Sequence, residues 1–280
     1  MKPPIFQYER PGSVDEALTL LAEHGDEAKV LSGGQSLVPI MNFRLARPEI
    51  LIDIGQVAGL GQIERRNGHL SIGARVRHEE LVHPPFDGPL GALFASAGRH
   101  IGHLPIRLRG TFGGSIAHAD PVSEWCLLAT ALEAEIVVRS VRGERVIAIA
   151  DFFEMTFTTS IADDELLTEV RVPWLGDDWV TGFSEFSRRV GDFAVVAVAS
   201  AVRLEDGRVA EARIAAGGVA GTPVRLSLAE AKLVGRELNA AAIGDAAATA
   251  AEEINPRGDI HGSPQYRRDL VQALTRRALR

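Results

Sequence analysis

Two short stretches set paired glycines beside hydroxyl side chains: Ser32-Gly33-Gly34-Gln35-Ser36 and Thr111-Phe112-Gly113-Gly114-Ser115. Glycine has no Cβ, so the backbone N–H groups around it can approach a ligand closely. Successive N–H groups that point inward form a nest for an anion. A helix that follows adds the positive end of its dipole. Two such loops suit the two phosphates of a dinucleotide, although each alone also reads as a tight turn. Neither loop has the G-x-G-x-x-G or G-x-x-x-x-G-K-[ST] spacing, which argues against Rossmann and ATPase folds. His100, His103 and His118 flank the second loop, but no acid or cysteine is spaced to complete a metal site with them. They are expected to contact backbone or water. No G-x-S-x-G elbow points to a serine hydrolase.

The elements around these loops follow from periodicity and capping signals. Ser13 with Glu16 forms a capping box, followed by Val14, Ala17, Leu18 and Leu21 at helical spacing and by Gly25 as a stop. Lys29–Leu31 reads as a strand running into the first loop. Ser36 is placed to cap a helix that carries Leu37, Ile40, Met41 and Phe43, and Ile50–Ile54 is a further strand. Leu70–Gly73 is a strand, and His78–Val82 and Leu90–Ala97 are helices. The stretch from Gly98 to Asp120 is rich in Gly, Arg and His. Asp120-Pro121 is a helix start for Val122–Leu132. Ile136–Arg139, Arg145–Ile149 and Leu166–Val172 are strands, and Pro173–Asp178 reads as a boundary. Beyond it, Phe183–Ser187, Val195–Leu204 and Arg208–Ala215 are strands, the last two joined at Asp206-Gly207. Ser227–Leu233, Ala240–Glu253 and Pro264–Leu279 are helices. The expected class is α+β.

The whole chain narrows the function further. Its 280 residues suffice for more than one domain. With 37 acidic and 30 basic residues the net charge is −7, which argues against a general nucleic-acid binder. The single cysteine, Cys126, cannot form an internal disulfide or a cysteine-based zinc or iron–sulfur site. The N-terminal residues show no apolar signal core, and the longest apolar run, near Phe193–Val202, is too short to span a membrane. The cytoplasm is the expected location.

Taken together and in order, four motifs resemble one family. They are Ser32–Met41 with Arg44–Glu49, Ile106–Pro121, Arg188–Ala194 and Ser263–Arg268. The chain is similar to the FAD-binding medium subunits of the molybdenum hydroxylases (the xanthine dehydrogenase family), most of all to their aerobic carbon monoxide dehydrogenase branch. The resemblance implies a two-lobed FAD-binding fold of the vanillyl-alcohol-oxidase (PCMH) type over residues 1–175, with lobes at about 1–55 and 56–175. It implies a small C-terminal sheet-plus-helices domain over residues 176–280. FAD would lie between the lobes, with its pyrophosphate on backbone N–H groups of both loops. The implied contacts are Leu31, Ser32, Gly33, Gly34, Gln35, Ser36, Leu37, Ile101, Thr111, Phe112, Gly113, Gly114, Ser115, Glu124, Leu167 and Phe193.

In that scheme Glu124 holds a ribose hydroxyl; as a residue alone it reads as an exposed charge favoured near a helix start. Phe193 stands where relatives place a tyrosine beside the flavin ring, and alone it reads equally as a core strand residue. Ser115 replaces a common Asn or Asp, and Ser184 replaces a lysine of the eukaryotic xanthine dehydrogenases. Gln35 stands where distant relatives attach flavin through histidine, so non-covalent FAD is expected. Arg267, Arg268, Arg276, Arg277 and Arg280 are expected to complement the end of the last helix and to meet a partner. The implied function is electron transfer from the [2Fe-2S] clusters of a small subunit to an external acceptor, with no catalytic side chain of this chain's own and no resident metal. The implied assembly adds a molybdopterin large subunit in a doubled heterotrimer. A self-contained flavin oxidoreductase of the same fold and a non-catalytic scaffold with glycine turns are the alternatives.

Overall fold

Strand β1 (Gln7–Glu9), helix α1 (Val14–His24), β2 (Ala28–Leu31), α2 (Leu37–Asn42) and β3 (Ile50–Asp53) build the first lobe, in a computed structural model that describes residues 2–280. The strands are parallel in the order β1-β3-β2. Parallel strands need crossovers: α2 lies in the one between the neighbours β2 and β3, and α1 carries the chain from β1 to β2 on the far side of β3. Ser13 Oγ accepts the Glu16 N–H at its start, and Gly25 ends it at φ +50°. Its buried face of Ala17, Leu18 and Leu21 packs on Ile50, Ile52 and Ile54.

Ser36 departs from expectation. Its backbone is right-handed helical (φ −106°, ψ −49°) and its side chain makes no capping bond. Capping needs the extended backbone that aims a hydroxyl at the next amides, and Ser36 lacks it.

The second lobe is an antiparallel sheet of β4 (Ile63–Arg66), β5 (His69–Gly73), β6 (Glu135–Ser140), β7 (Gly143–Ala148) and β10 (Leu166–Pro173). Its strand order is β4-β5-β10-β6-β7. Helices α3 (His78–Val82), α4 (Gly88–Gly98), α5 (Leu104–Arg107), α6 (Phe112–His118) and α7 (Glu124–Ala131) accompany it, with a small hairpin of β8 (Phe153–Met155) and β9 (Thr158–Thr159). Phe94, Phe112, Trp125 and Phe152 are fully buried in its core, and Phe94 stacks on Trp125 with ring centroids 5.5 Å apart. Helix α7 starts two residues later than Asp120-Pro121 predicts. Asp120 accepts the Val122 N–H at 3.0 Å in a local turn, and Ser123 takes over as N-cap. A short side-chain bond of this kind competes with helix initiation.

The C-terminal unit is a meander of β11 (Trp179–Ser187), β12 (Ala194–Glu205), β13 (Arg208–Gly217) and β14 (Val224–Arg225), all antiparallel. Asp206 and Gly207, at φ +51° and +75°, make the two-residue turn between β12 and β13. Helices α8 (Ser227–Ala231), α9 (Ala240–Glu253) and α10 (Pro264–Ala278) share a core with Val196, Val198 and Ile214. Helix α10 lies so close to β11 that a side chain at Gly182 would overlap the Ala278 carbonyl, which Ser200 Oγ also bonds at 2.7 Å.

The arginine cluster expected at the end of the last helix divides. Arg276 and Arg277 do lie in its last turn. Arg267 is buried near its start and donates to Val195 O (2.5 Å), Gly218 O (2.7 Å) and Asp259 (2.8 Å). Arg268 bonds Ile254 O and Asn255. Both are spent within the chain, because orphan carbonyls and an aspartate surround the start of α10. Across the seam, Gly218 N donates to Pro121 O at 3.1 Å, tying the unit to the segment before α7.

Candidate functional site

Strand β2 delivers the chain to the first glycine loop and α2 carries it away. Among the described residues, the N–H groups of Ser32, Gly33, Gly34, Gln35 and Ser36 meet no protein acceptor. Gly34 sits at φ +71°, a conformation that favours glycine. Gln35 Nε2 donates to Gly33 O at 3.2 Å. Five consecutive amides without protein partners are the donors an anion cradle requires. Beside them opens a cavity of 380 Å³, lined by Leu31 to Gln35, Val38, Pro39, Asp53 and Arg109. Arg109 lines the cavity and forms no ion pair among the described residues, which leaves a positive charge in its neighbourhood. Asp53 is held by Tyr8 O–H and by Gly55 N–H at 2.7 Å.

The second loop is built differently. Phe112 N donates to Val76 O (2.8 Å) and Gly113 N to Ala74 O (3.1 Å). Gly114 N donates to Thr111 Oγ1 (3.1 Å) and Ser115 N to Thr111 O (3.0 Å). These amides are satisfied inside the protein, so of the two loops only the first leaves its amides open. The second is its brace. Ser32 Oγ and Thr111 Oγ1 share a hydrogen bond of 2.9 Å between the loops. A Cβ on Gly33 would lie 2.6 Å from Gly110 Cα and overlap the Arg109 carbonyl. Arg77 bonds that same carbonyl. The His78 N–H donates to Gly110 O, and its ring accepts from Trp125 Nε1 at 2.9 Å. Burial, with Arg77 and Arg107 nearby, lowers His78 to about 4, so it is neutral at ordinary pH. Ser115 Oγ bonds Ser123 Oγ at 2.8 Å.

The remaining residues singled out by sequence lie apart from the loops. Ile101, half-buried, follows α4, and its carbonyl accepts from Arg107. Leu167 is buried on β10, next to a break in register, with its side chain in the core. Phe193 is 77% exposed in the loop before β12, which overturns the core-strand reading. In that loop a side chain at Gly191 (φ +82°) would overlap the His103 ring.

Glu124 is not the exposed charge that the local reading allows. It is half-buried in the first turn of α7, and burial, then Glu185 and Asp120, push its carboxyl up to about 8. Ser184 is half-buried on β11. His100 faces Phe183 and Glu185, His103 lies against Gly191, and His118 stacks on Phe157 at 4.9 Å, so the three histidines have separate surroundings. Buried Cys126 has its thiol pushed up to about 12 by burial.

Arg109, Asp53, Arg77 and His78 are parts of this site that the sequence reading missed. Arg109 directly precedes the second glycine motif and Asp53 ends a buried strand, and those positions were the available signal.

Residues 4–175 match the family described as the FAD binding domain in molybdopterin dehydrogenase, and residues 181–280 match the CO dehydrogenase flavoprotein C-terminal domain. The chain is 41% identical to the nicotine 6-hydroxylase medium subunit of Paenarthrobacter nicotinovorans, over all of this chain and 98% of the relative. It is 34% identical to the carbon monoxide dehydrogenase medium chain of Hydrogenophaga pseudoflava, over 100% and 97% of the two chains. A solved structure of carbon monoxide dehydrogenase from that organism superposes with a TM-score of 0.95 at 36% identity, covering 100% of this chain and 97% of the other. Quinoline 2-oxidoreductase from Pseudomonas putida 86 superposes at 0.92 with 35% identity, covering 100% and 97%.

Proposed function

The chain belongs to the FAD-binding medium subunits of the molybdopterin-containing oxidoreductases, and from that premise we propose that it takes electrons from [2Fe-2S] clusters of a partner chain and passes them to an external acceptor. The observation that carries this reading is the row of five unpartnered amides, Ser32 to Ser36, opening on a cavity walled by Arg109. Such a cradle fits the pyrophosphate of FAD, because it offers donors and positive charge. Bound FAD supplies the redox chemistry, while the protein binds, orients and shields it.

In the proposed arrangement Leu31 to Leu37 hold the phosphates, and Thr111 to Ser115 set the distance between the lobes. Glu124 holds a ribose hydroxyl. Ile101 and Leu167 flank the cofactor, and Phe193, exposed on its loop, covers one face of the flavin ring. FAD is held non-covalently, because Gln35 is no nucleophile and Cys126 is buried in α7. The FAD unit ends near residue 175, and the C-terminal unit follows from residue 176. A small iron–sulfur subunit and a molybdopterin large subunit complete a doubled heterotrimer in the cytoplasm. Substrate choice belongs to the large subunit.

The test is a visible spectrum of the chain after incubation with FAD and desalting, and again after acid precipitation. Flavin bands that travel with the protein and then appear in the acid supernatant are expected. Colour left in the pellet overturns non-covalent attachment, and colourless, folded protein overturns the site. Flavin reduction by the isolated chain with a small substrate, without partner subunits, overturns the electron-transfer role.

A further inference from the structure

Two carboxylates face the seam between the second lobe and the C-terminal sheet with few donors to meet them. The Glu185 side chain, on β11, is only 1% exposed. Its Oε1 lies 3.7 Å from His100 Nδ1, beyond hydrogen-bond distance, and its Oε2 is buried with no partner among the described residues. Glu124 reaches the same region from the first turn of α7, and no side-chain donor bonds its carboxyl among the described residues.

Three other elements border the pair. The turn after α4 contributes His100, and the loop before α7 contributes Asp120. Strand β12, whose Ala197 pairs with Glu185, carries no charged residue from Ala194 to Val202. The seam therefore holds more acceptors than donors. An unpartnered buried oxygen destabilises the fold, more so when charged. Folded proteins keep few such atoms without a reason in ligand binding or chemistry.

We propose that Glu185 is a binding residue of the FAD site, its Oε2 accepting a hydroxyl of the cofactor's ribose or ribityl chain from the C-terminal side while Glu124 meets another from α7. The inference rests on the reading that this chain binds FAD. A carboxyl is a natural acceptor for sugar hydroxyls, because its oxygens carry free lone pairs and a hydroxyl can donate. The C-terminal sheet then completes the cofactor site as well as packing against it.

The test is FAD binding by the full-length chain, followed by flavin fluorescence, for the wild type, Glu185→Gln and Glu124→Gln. Glutamine keeps the shape and replaces one acceptor oxygen by a donor. Glu185→Gln is expected to weaken FAD about tenfold or more, as loss of an acceptor for a buried hydroxyl does, without lowering the melting temperature of the cofactor-free chain. Separate titrations with FMN and ADP-ribose identify the hydroxyls: weakening confined to FMN assigns the ribityl chain, and weakening confined to ADP-ribose assigns the ribose. An FAD affinity within about twofold of wild type in folded Glu185→Gln overturns the inference and makes Glu185 a structural acid. Failure of the wild type to bind FAD overturns the underlying reading instead.

Discussion

The two glycine loops look alike in sequence and do opposite things in space. The first leaves the amides of Ser32 to Ser36 without acceptors, whereas the second binds those of Phe112 to Ser115 into its own lobe. The first needs glycine at residue 33 because its chain lies against the second loop, where a Cβ would overlap the Arg109 carbonyl. The second needs it so that the chain can lie against Ala74: a Cβ on Gly113 would sit 2.6 Å from Ala74 Cα. A glycine pair thus marks a close approach of two backbones, and only the fate of its N–H groups tells whether they stay open to a ligand.

Substitutions at those glycines separate the two roles most strongly. Gly113→Ala is expected to destabilise the chain by about 3 kcal/mol or more, seen as a large fall in melting temperature or as insoluble expression. Gly33→Ala pries the loops apart and is expected to lower FAD affinity by about 100-fold, with a smaller loss of stability. The contrast breaks if Gly33→Ala unfolds the chain while Gly113→Ala only weakens flavin.

Acid and alkali probe the brace and the seam next. His78, lowered to about 4, stays neutral in the folded chain while the unfolded chain protonates below about 6.5. Its contribution is full above that value and is lost as pH falls through about 4, at a cost of roughly 3 kcal/mol. Glu124 runs the other way. Its carboxyl is raised to about 8, so its contribution is full below the ordinary carboxyl value of 4.5 and is lost as pH rises through about 8. Denaturant titrations across pH should show His78→Gln flattening the acid limb and Glu124→Gln flattening the alkaline limb. An acid limb unchanged by His78→Gln would remove this histidine from the brace's energetics.

The smallest effects concern hydroxyls. Thr111→Val loses the cap on Gly114 N and the bond to Ser32, and should cost about 1–2 kcal/mol of thermal stability. Ser36→Ala should cost under about 0.5 kcal/mol, since Ser36 caps nothing. Equal losses in the two variants would mean that the loops are not divided as described.

Much of this fold was legible because local signals agreed with tertiary ones. The Ser13 box, the Gly25 stop and the alternation through β10 each carried their own evidence, and α3 and α9 lie where their periodicity puts them. Strand β4 escaped notice because Ile63-Glu64-Arg65-Arg66 is mostly polar: it is an edge strand and needs little apolar sequence. Helices α5 and α6 hid in the Gly- and Arg-rich stretch because each spans only one or two turns and is held by contacts distant in sequence. The glycine motifs themselves were visible. That one cradle is open and the other closed was not, because the acceptors at Ala74 and Val76 lie on a different segment from the donors. The burial of Arg267 was likewise hidden, since its partners Val195 and Gly218 come from distant strands.

The Ser32–Thr111 bond joins residues 79 apart in the chain. No unfolded or partly folded chain can hold those two loops together without first closing that long segment, whose entropy must be overcome by the rest of the fold. A ligand that needs the joined loops therefore binds the native state alone. By mass action, such a ligand at about 100 times its dissociation constant adds close to 2.7 kcal/mol of stability. The cell's supply of flavin would then set how much of this chain persists as well as how much of it is coloured, and flavin starvation would be felt first as loss of protein.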